Sequence, residues 1–215
     1  NVGVGYAALQ VSTASFNVAV GGDAMKTATS GANNTAVGYA AMGHQAVTGA
    51  NNIAVGKQAM KSITSGTENV AVGVNAGENM SSAGYNVAIG QFASDTTTTA
   101  VTNTVVGSYS LDNGAANTGG LNTIIGHGAG RVITSGTNNT TLGYDAGVAI
   151  TTGTYNICIG GVGAGNTITT GSGNIAIGSS ALTTLTASTY PNIAIGENAL
   201  YSMATGYQNI AIGYR

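Results

Sequence analysis

Side chains that could do acid–base chemistry or hold a metal are few in this chain of 215 residues, which has seven Asp and Glu, two His and one Cys. An active site needs titratable groups that converge in a pocket, and a zinc site needs ligands at short spacings. The two His lack such a spacing, and we find no ladder of Asp in successive turns of the calcium-binding type. We therefore expect no enzymatic activity, no metal site and no cofactor, and we expect these side chains to be solvated loop residues: Asp23, Asp95, Asp112, Asp145, Glu68, Glu78, Glu197, His44 and His127.

Cys158 is the only cysteine, so it cannot form a disulfide within the chain. It occupies the middle of the phrase Asn156-Ile157-Cys158-Ile159-Gly160, where similar phrases along the chain mostly have Ala. A small buried substitute for Ala is the expected role. A thiol contact between chains near a trimer axis is the alternative.

A five-residue motif repeats along the whole chain: Asn, then Val, Ile or Thr, then a residue that is mostly Ala, then Val, Ile or Leu, then Gly. Successive motifs are 16 to 19 residues apart. A period near 17 indicates a solenoid. We predict an all-β parallel β-solenoid or β-roll of about 13 coils, which forms one continuous domain over residues 1–215 without linkers.

We expect the Asn side chains of the motif to stack as a structural ladder: Asn1, Asn17, Asn34, Asn52, Asn69, Asn86, Asn103, Asn122, Asn139, Asn156, Asn174, Asn192 and Asn209.

The motif Gly predicts a corner that ends each strand, because Gly tolerates a positive φ or a close backbone approach. A second corner is expected where Ser or Thr precedes Gly just before the next Asn, as at Ser30-Gly31 and Thr205-Gly206. Between the corners we expect a second, thinner strand through small residues such as Ala24 and Ala41. The corner glycines are Gly5, Gly21, Gly38, Gly56, Gly73, Gly90, Gly107, Gly126, Gly143, Gly160, Gly178, Gly196 and Gly213.

The two faces of the motif strand differ in bulk, because side chains alternate along a strand. The residues on either side of the Ala position are large and mostly β-branched, whereas the Ala position is flat. One coil alone buries too little apolar surface to offset the entropy of ordering its backbone. Small residues also let backbones approach closely, so we predict a homotrimer with the Ala column at or near the contact between chains: Ala19, Ala36, Ala54, Ala71, Ala88, Ala176, Ala194 and Ala211.

Tyr residues flank the motif on both sides. We expect them to cover the corners of neighbouring coils or chains, and stacking on sugar rings is the alternative. They follow the corner Gly at Tyr6, Tyr39, Tyr144 and Tyr214, and precede the motif Asn at Tyr85 and Tyr155.

Composition excludes several classes of partner. Only 6% of residues are charged, against roughly 25% in ordinary soluble proteins, so the surface must be mainly Ser, Thr, Asn, Gln and Gly. The net charge is −2 and the five basic residues are scattered, so no basic stripe could follow a nucleic acid backbone. The sequence contains no apolar run of about 18 residues, so it predicts no insertion into a membrane.

The chain begins on a motif Asn and ends just past a motif Gly, and neither end resembles the cap that solenoids use. We therefore expect it to be an excerpt of a longer fibre.

The phrase Asn-Ile-Ala-Ile-Gly-Glu-Asn-Ala-Leu at 192–200, followed by Asn-Ile-Ala-Ile-Gly at 209–213, resembles the repeats of phage tail-fibre proteins. It is similar, more loosely, to the head repeats of trimeric autotransporter adhesins of the YadA type. The resemblance covers the entire chain and implies a left-handed, homotrimeric β-roll. Adhesin-head repeats tend to be shorter and to carry Ser before the Val-Ala-Ile-Gly run, which favours the tail-fibre interpretation.

The expected function is therefore that of a structural fibre segment in a virion or at a cell surface. It would be a rigid trimeric shaft or head of a tail fibre that presents a host-receptor-binding tip, and its main partner would be itself, with a surface glycan or protein bound by the wider fibre. A bacterial adhesin head that binds host or surface ligands is the alternative. An ice-binding solenoid would need a regular Thr-x-Thr row, and a hexapeptide-type acyltransferase a strict period of six within each coil; the sequence has neither.

Overall fold

The computed structural model of the chain describes residues 1–112, 114–185, 191–203 and 206–215, so Thr205 of the expected second corner lies outside the described residues. Two compact units are formed, Asn1–Thr102 and Asn103–Arg215. The first contains β1 (Val2–Val4), β2 (Val18–Val20), β3 (Thr35–Val37), β4 (Ile53–Val55), β5 (Val70–Val72) and β6 (Val87–Ile89). The second contains β7 (Thr104–Val106), β8 (Thr123–Ile125), β9 (Thr140–Leu142), β10 (Ile157–Ile159), β11 (Ile175–Ile177), β12 (Ile193–Ile195) and β13 (Ile210–Ile212).

Each unit is a parallel β-solenoid in which one repeat makes one coil. Within a unit every strand pairs in parallel with the strand of the next coil, and identical motif positions face each other, as Ala36 faces Ala54 and Val37 faces Val55. The described residues contain no helix. The predicted all-β parallel solenoid with a repeat near 17 residues is confirmed; the prediction of one continuous domain stays a prediction.

The second strand expected between the corners is not formed in the described residues. After every corner glycine but Gly213 the chain instead makes a run of turns, which we call the turn segment (22–27 in the second coil). Positive φ angles recur at alternate residues there, for example 56° at Asp23 and 46° at Met25, and a strand cannot contain such residues. The amide of Met25 donates to Ala41 O of the next coil at 2.9 Å, while that of Lys26 donates to Asp23 O within the turn at 3.3 Å. Backbone donors are thus satisfied without a second sheet.

The interior between strand and turn segment is narrow, and this decides which face of the strand points inward. In the first coil, a Cβ added to Gly3 would lie 3.2 Å from Ala8 O on the opposite side. Ala side chains from both sides fill this space, together with larger side chains of the turn segment and the residues after it. The large, fully buried ones include Met25, Met42, Met60, Ile63, Met80, Leu111, Ile133, Ile150, Ile168 and Leu182.

Where the strand contributes a residue larger than Ala, the turn segment can compensate with Gly. Opposite Cys158 lies Gly165, where an added Cβ would be 2.4 Å from Cys158 Sγ. Opposite Thr141 lies Gly147, where it would be 2.7 Å from Thr141 Cγ2. The interior therefore keeps a nearly constant volume from coil to coil, as close packing requires.

The corner positions require Gly for two reasons, a positive φ and a close approach of the backbone of the next coil. Their φ angles lie between 120° and 144°, a region that residues with a side chain avoid. They also stack on one another: a Cβ added to Gly143 would lie 1.8 Å from Gly160 O in the next coil. Any side chain at this corner would force adjacent coils apart.

Replacing Gly143 by Ala should therefore lower the free energy of unfolding by about 2–4 kcal/mol, from the strained φ together with the clash. Thermal and urea unfolding followed by circular dichroism would measure this loss. Gly161→Ala is the matched control, because Gly161 follows the next corner and an added Cβ there meets nothing within 4 Å. Equal stability of the two variants would contradict the role assigned to the corner.

Candidate functional site

The motif Asn side chains form a hydrogen-bonded ladder inside each unit. Asn52 Oδ1 accepts two hydrogen bonds from Asn69, one from the backbone N–H and one from Nδ2, both at 3.0 Å. Asn69 Nδ2 also donates to Ala83 O at the second corner, at 2.8 Å. The same arrangement continues to Asn86 and recurs in the second unit, from Asn103 through Asn122 to Asn209. The ladder joins each coil to the next and also closes the coil on itself.

Burial makes this ladder costly to disturb. The motif Asn residues from Asn17 to Asn192 are at most 1% exposed. A primary amide has two donor hydrogens and one acceptor oxygen, and in Asn156 all of these are engaged: Nδ2 donates to Asn139 Oδ1 and Gly171 O, and Oδ1 accepts from Asn174. Such fully satisfied amides suit a structural role and offer no group for catalysis.

The Ala column predicted at a contact between chains lies inside its own coil instead. Ala19, Ala36, Ala54, Ala71, Ala88, Ala176 and Ala194 are all completely buried in the single chain, and Ala211 is half-buried. The prediction is corrected because the interior is narrow and is shared with large side chains of the turn segment, so the face with mostly small residues turns inward; Val105 and Ile124 are the larger, also buried, exceptions at this position. The side chains of the seven fully buried residues are covered by their own coil and do not form an outer surface.

The opposite, bulky face of each strand points outward and is only partly covered by the chain. We call it the outer aliphatic face: the first and third residues of every strand, of which none is fully buried. Ile53 is 42% exposed, Ile89 40% and Leu142 43%. An exposed stripe of Val, Ile and Leu on successive coils is unusual for a protein surface and typically marks an interaction site.

Exposed aromatic residues border this face. Tyr39 and Tyr144 follow corner glycines, and Tyr85 and Tyr155 precede motif Asn residues; all four are more than half exposed. In the second unit His127 occupies the same position as Tyr144 and stacks on it, with ring centroids 5.4 Å apart. From the sequence His127 is expected to be a solvated loop residue, and its stacking on Tyr144 was not predicted, although its place directly after a corner glycine was the available signal.

Cys158 lies inside its coil and is completely buried. Burial raises the pKa of its thiol from 9.0 to about 12. The surroundings match a substitute for Ala, and the thiol is enclosed by its own coil. A buried neutral thiol of this kind is a poor nucleophile.

The charged residues follow a register that the sequence analysis did not detect. Counted five residues after the corner glycine, consecutive coils have Lys61, Glu78 and Asp95 in the first unit, and Asp112 and Arg131 in the second. Lys61 Nζ lies 3.1 Å from Glu78 Oε1. Burial raises the pKa of Asp112, an effect that the nearby Arg131 opposes. No group of three or more His, Cys, Asp or Glu that could hold a metal occurs among the described residues.

A groove of about 350 Å³ opens on the turn segments of the second to fourth coils. Two of the five basic residues of the chain and one of its two His contribute to it. Its wall includes Tyr39, and the polar side chains that line it are those of Asp23, Lys26, Thr27, His44, Gln58 and Lys61. The proximity of these residues was not predictable from the sequence, because they come from three coils and meet only when the coils stack.

Comparison of the chain with protein-family models, curated proteins and solved structures found no match. Within the described residues, no helix is long and apolar enough to cross a membrane.

Breaking the Asn ladder in its middle should destabilise the second unit strongly. Asn156→Ala leaves Gly171 O and the Asn174 N–H without their partners, and each unsatisfied buried group costs on the order of 1–3 kcal/mol. Urea unfolding should show a loss of about 3 kcal/mol or more. Asn166→Ala serves as control, since Asn166 is only half-buried; a similar loss in that variant would argue against the ladder.

The thiol of Cys158 should react with a thiol-specific dye only after unfolding, because it is completely buried in the folded chain.

The stability of the protein should also depend on the ionisation of this thiol. In the unfolded chain the thiol ionises from about pH 9, whereas in the folded protein it keeps its proton up to about pH 12. Unfolding therefore releases a proton between these values, and the contribution of this residue to stability falls as the pH rises through that window. Comparing melting temperatures of the natural protein and Cys158→Ala at pH 8 to 11 isolates the effect; parallel curves would contradict the buried neutral thiol.

Proposed function

We propose that the chain is a structural segment of a homotrimeric fibre, a left-handed β-roll that forms part of a shaft or head and presents a receptor-binding tip. The single observation that carries this proposal is the outer aliphatic face. A chain that exposes Val, Ile and Leu on coil after coil is incomplete by itself. Covering this face with further copies of the chain removes the apolar side chains from water.

A second copy of the same chain suits this face better than an unrelated partner. Successive coils of a solenoid are about 4.8 Å apart, and every copy has the same spacing. If copies pack in parallel around one axis, each aliphatic side chain of one copy meets an equivalent position of the next, coil after coil. The aromatic residues that border the face, such as Tyr85 and Tyr155, would then lie at the rim of the contact, where aromatic residues are enriched.

The number of copies follows from the resemblance to tail-fibre repeats, which implies three. Three further features support a fibre in a virion or outside a cell. The chain has few charged side chains, its coils are joined by the hydrogen-bonded Asn ladder, and its corners accept no side chain. The resemblance to YadA-type heads supports the second candidate, a bacterial adhesin head, since the same outer face would serve both. Enzymatic activity is not part of the proposal.

The decisive measurement is the mass of the folded protein by light scattering on a sizing column. We expect a mass close to three chains, about three times 20.9 kDa. A single monodisperse species of one chain at micromolar concentration would overturn the proposal.

A charged substitution on the outer face locates the contact. Ile177→Lys should dissociate the trimer, because a lysine buried between three chains carries an unpaired charge. Val162→Lys is the matched control, since Val162 is 59% exposed but lies beyond a corner, off the outer aliphatic face. If the two variants have the same mass as the natural protein, the chains associate through some other surface.

A further inference from the structure

The outer aliphatic face of the second unit is interrupted by three threonines, which we call the threonine patch. Thr104, Thr123 and Thr140 are the first residues of β7, β8 and β9. They face one another across the parallel sheet, so their side chains lie on the same outward side in three successive coils. The next four strands have isoleucine at this position: Ile157, Ile175, Ile193 and Ile210.

The hydroxyls of the patch are polar groups that the single chain leaves unpaired. Thr104 and Thr123 are exposed, and Thr140 is half-buried. Among the residues that the structure describes, none gives these three hydroxyls a hydrogen-bond partner. Thr has nearly the shape of Val and the same β-branching, and both suit a strand. The patch therefore differs from the rest of the face mainly in its hydroxyls.

The rest of the face does not specify how copies of the chain align along a fibre. The third residue of every strand is Val, Ile or Leu, and successive coils are about 4.8 Å apart. Two copies displaced by one coil would therefore still pack aliphatic side chains on aliphatic side chains. The register of such a repetitive surface is weakly specified, and the threonine patch breaks the repetition.

A row of hydroxyls is complementary to the same row of a second copy, because each hydroxyl both donates and accepts a hydrogen bond. In aligned copies the hydroxyls of the two patches pair inside the contact. In copies displaced by one coil, Thr140 of one copy lies opposite Ile157 of the other, and its buried hydroxyl loses its partner. Leaving a buried polar group unsatisfied costs more than one hydrogen bond contributes. Single polar positions in an apolar seam fix the register of coiled coils for the same reason.

We propose that the threonine patch sets the axial register of the assembly by pairing with the same patch of further copies of the chain. This role rests on the proposed trimer and adds alignment to it. The outer aliphatic face supplies the attraction between copies, and the patch selects one alignment among several that the aliphatic side chains allow. Selectivity comes at the expense of strength, because a buried hydroxyl contributes less to association than a methyl group in its place.

Disulfide trapping in mixed assemblies measures the register. In a Cys158→Ala background, Ile177→Cys and Ile195→Cys place one thiol on the outer face of each of two adjacent, paired strands. The two chains are unfolded, mixed in equal amounts, refolded and oxidised, and the disulfides are identified by mass spectrometry. Aligned copies give 177–177 and 195–195 disulfides, whereas copies displaced by one coil give 177–195 disulfides. We expect the aligned disulfides to dominate by about tenfold, the effect of one unsatisfied buried hydroxyl.

Replacing the whole patch by valine should remove this preference. With Thr104→Val, Thr123→Val and Thr140→Val combined, the 177–195 disulfide should become as abundant as the aligned ones, while the trimer resists urea at least as well as before. Val70→Ile with Val87→Ile is the matched control, because it alters the same strand position in β5 and β6 without removing a hydroxyl. This control should keep the aligned disulfides dominant. An unchanged preference in the valine variant would refute the role of the patch.

The mass of each mixed assembly separates the register from the trimer itself. A trimer with the natural patch that yields abundant 177–195 disulfide overturns the register alone. A species of one chain overturns the proposed fibre contact, and a trimer in which neither kind of disulfide forms places that contact on another surface. Either of these last two results overturns the role of the patch as well.

Discussion

The hydrogen-bonded ladder of motif Asn side chains is the interaction on which the rest of each unit depends. An amide inside a unit, such as that of Asn156, bonds to the Asn of the coil before it, to the Asn of the coil after it, and to a carbonyl at its own second corner. It therefore fixes both the stacking distance and the closure of the coil. Because the amides are buried, one missing partner leaves several polar groups unsatisfied, which accounts for the presence of Asn in every motif.

A stacking distance of one strand spacing imposes a narrow coil. Corner glycines approach so closely that any Cβ would collide with the next corner, and the strand lies near the turn segment. Only one layer of side chains fits between them, so Ala faces inward and a Met, Ile or Leu from beyond the corner supplies the bulk of the core. The usual arrangement, with the largest aliphatic residues of a strand inside, is thereby inverted.

This inversion links the fold to the proposed function. The bulky residues left on the outside form a continuous apolar stripe within each unit, which a single chain cannot cover. The outward-facing positions of the turn segments are less constrained than the buried ones, because the hydrogen bonds between coils are made by backbone groups and do not depend on these side chains. Aromatic and charged residues accumulate there, and the groove beside Tyr39 is lined by side chains from three successive coils.

The sequence by itself determined the coil: the spacing of the Asn residues predicted the parallel solenoid, and the glycines at 5 and 21 and their equivalents marked the corners. These features were predictable because they recur at fixed positions and each follows from local backbone requirements. Which face of the strand points into the coil was not predictable. The alternation of side chains shows that Ala19 and Val20 point to opposite sides, but it does not show which side is inside. The width of the coil decides which face points inward. This width depends on the turn segment, where the sequence predicted a second strand. The groove, likewise, required the tertiary structure, because Lys26, Tyr39 and Lys61 come together only through the stacking of three coils.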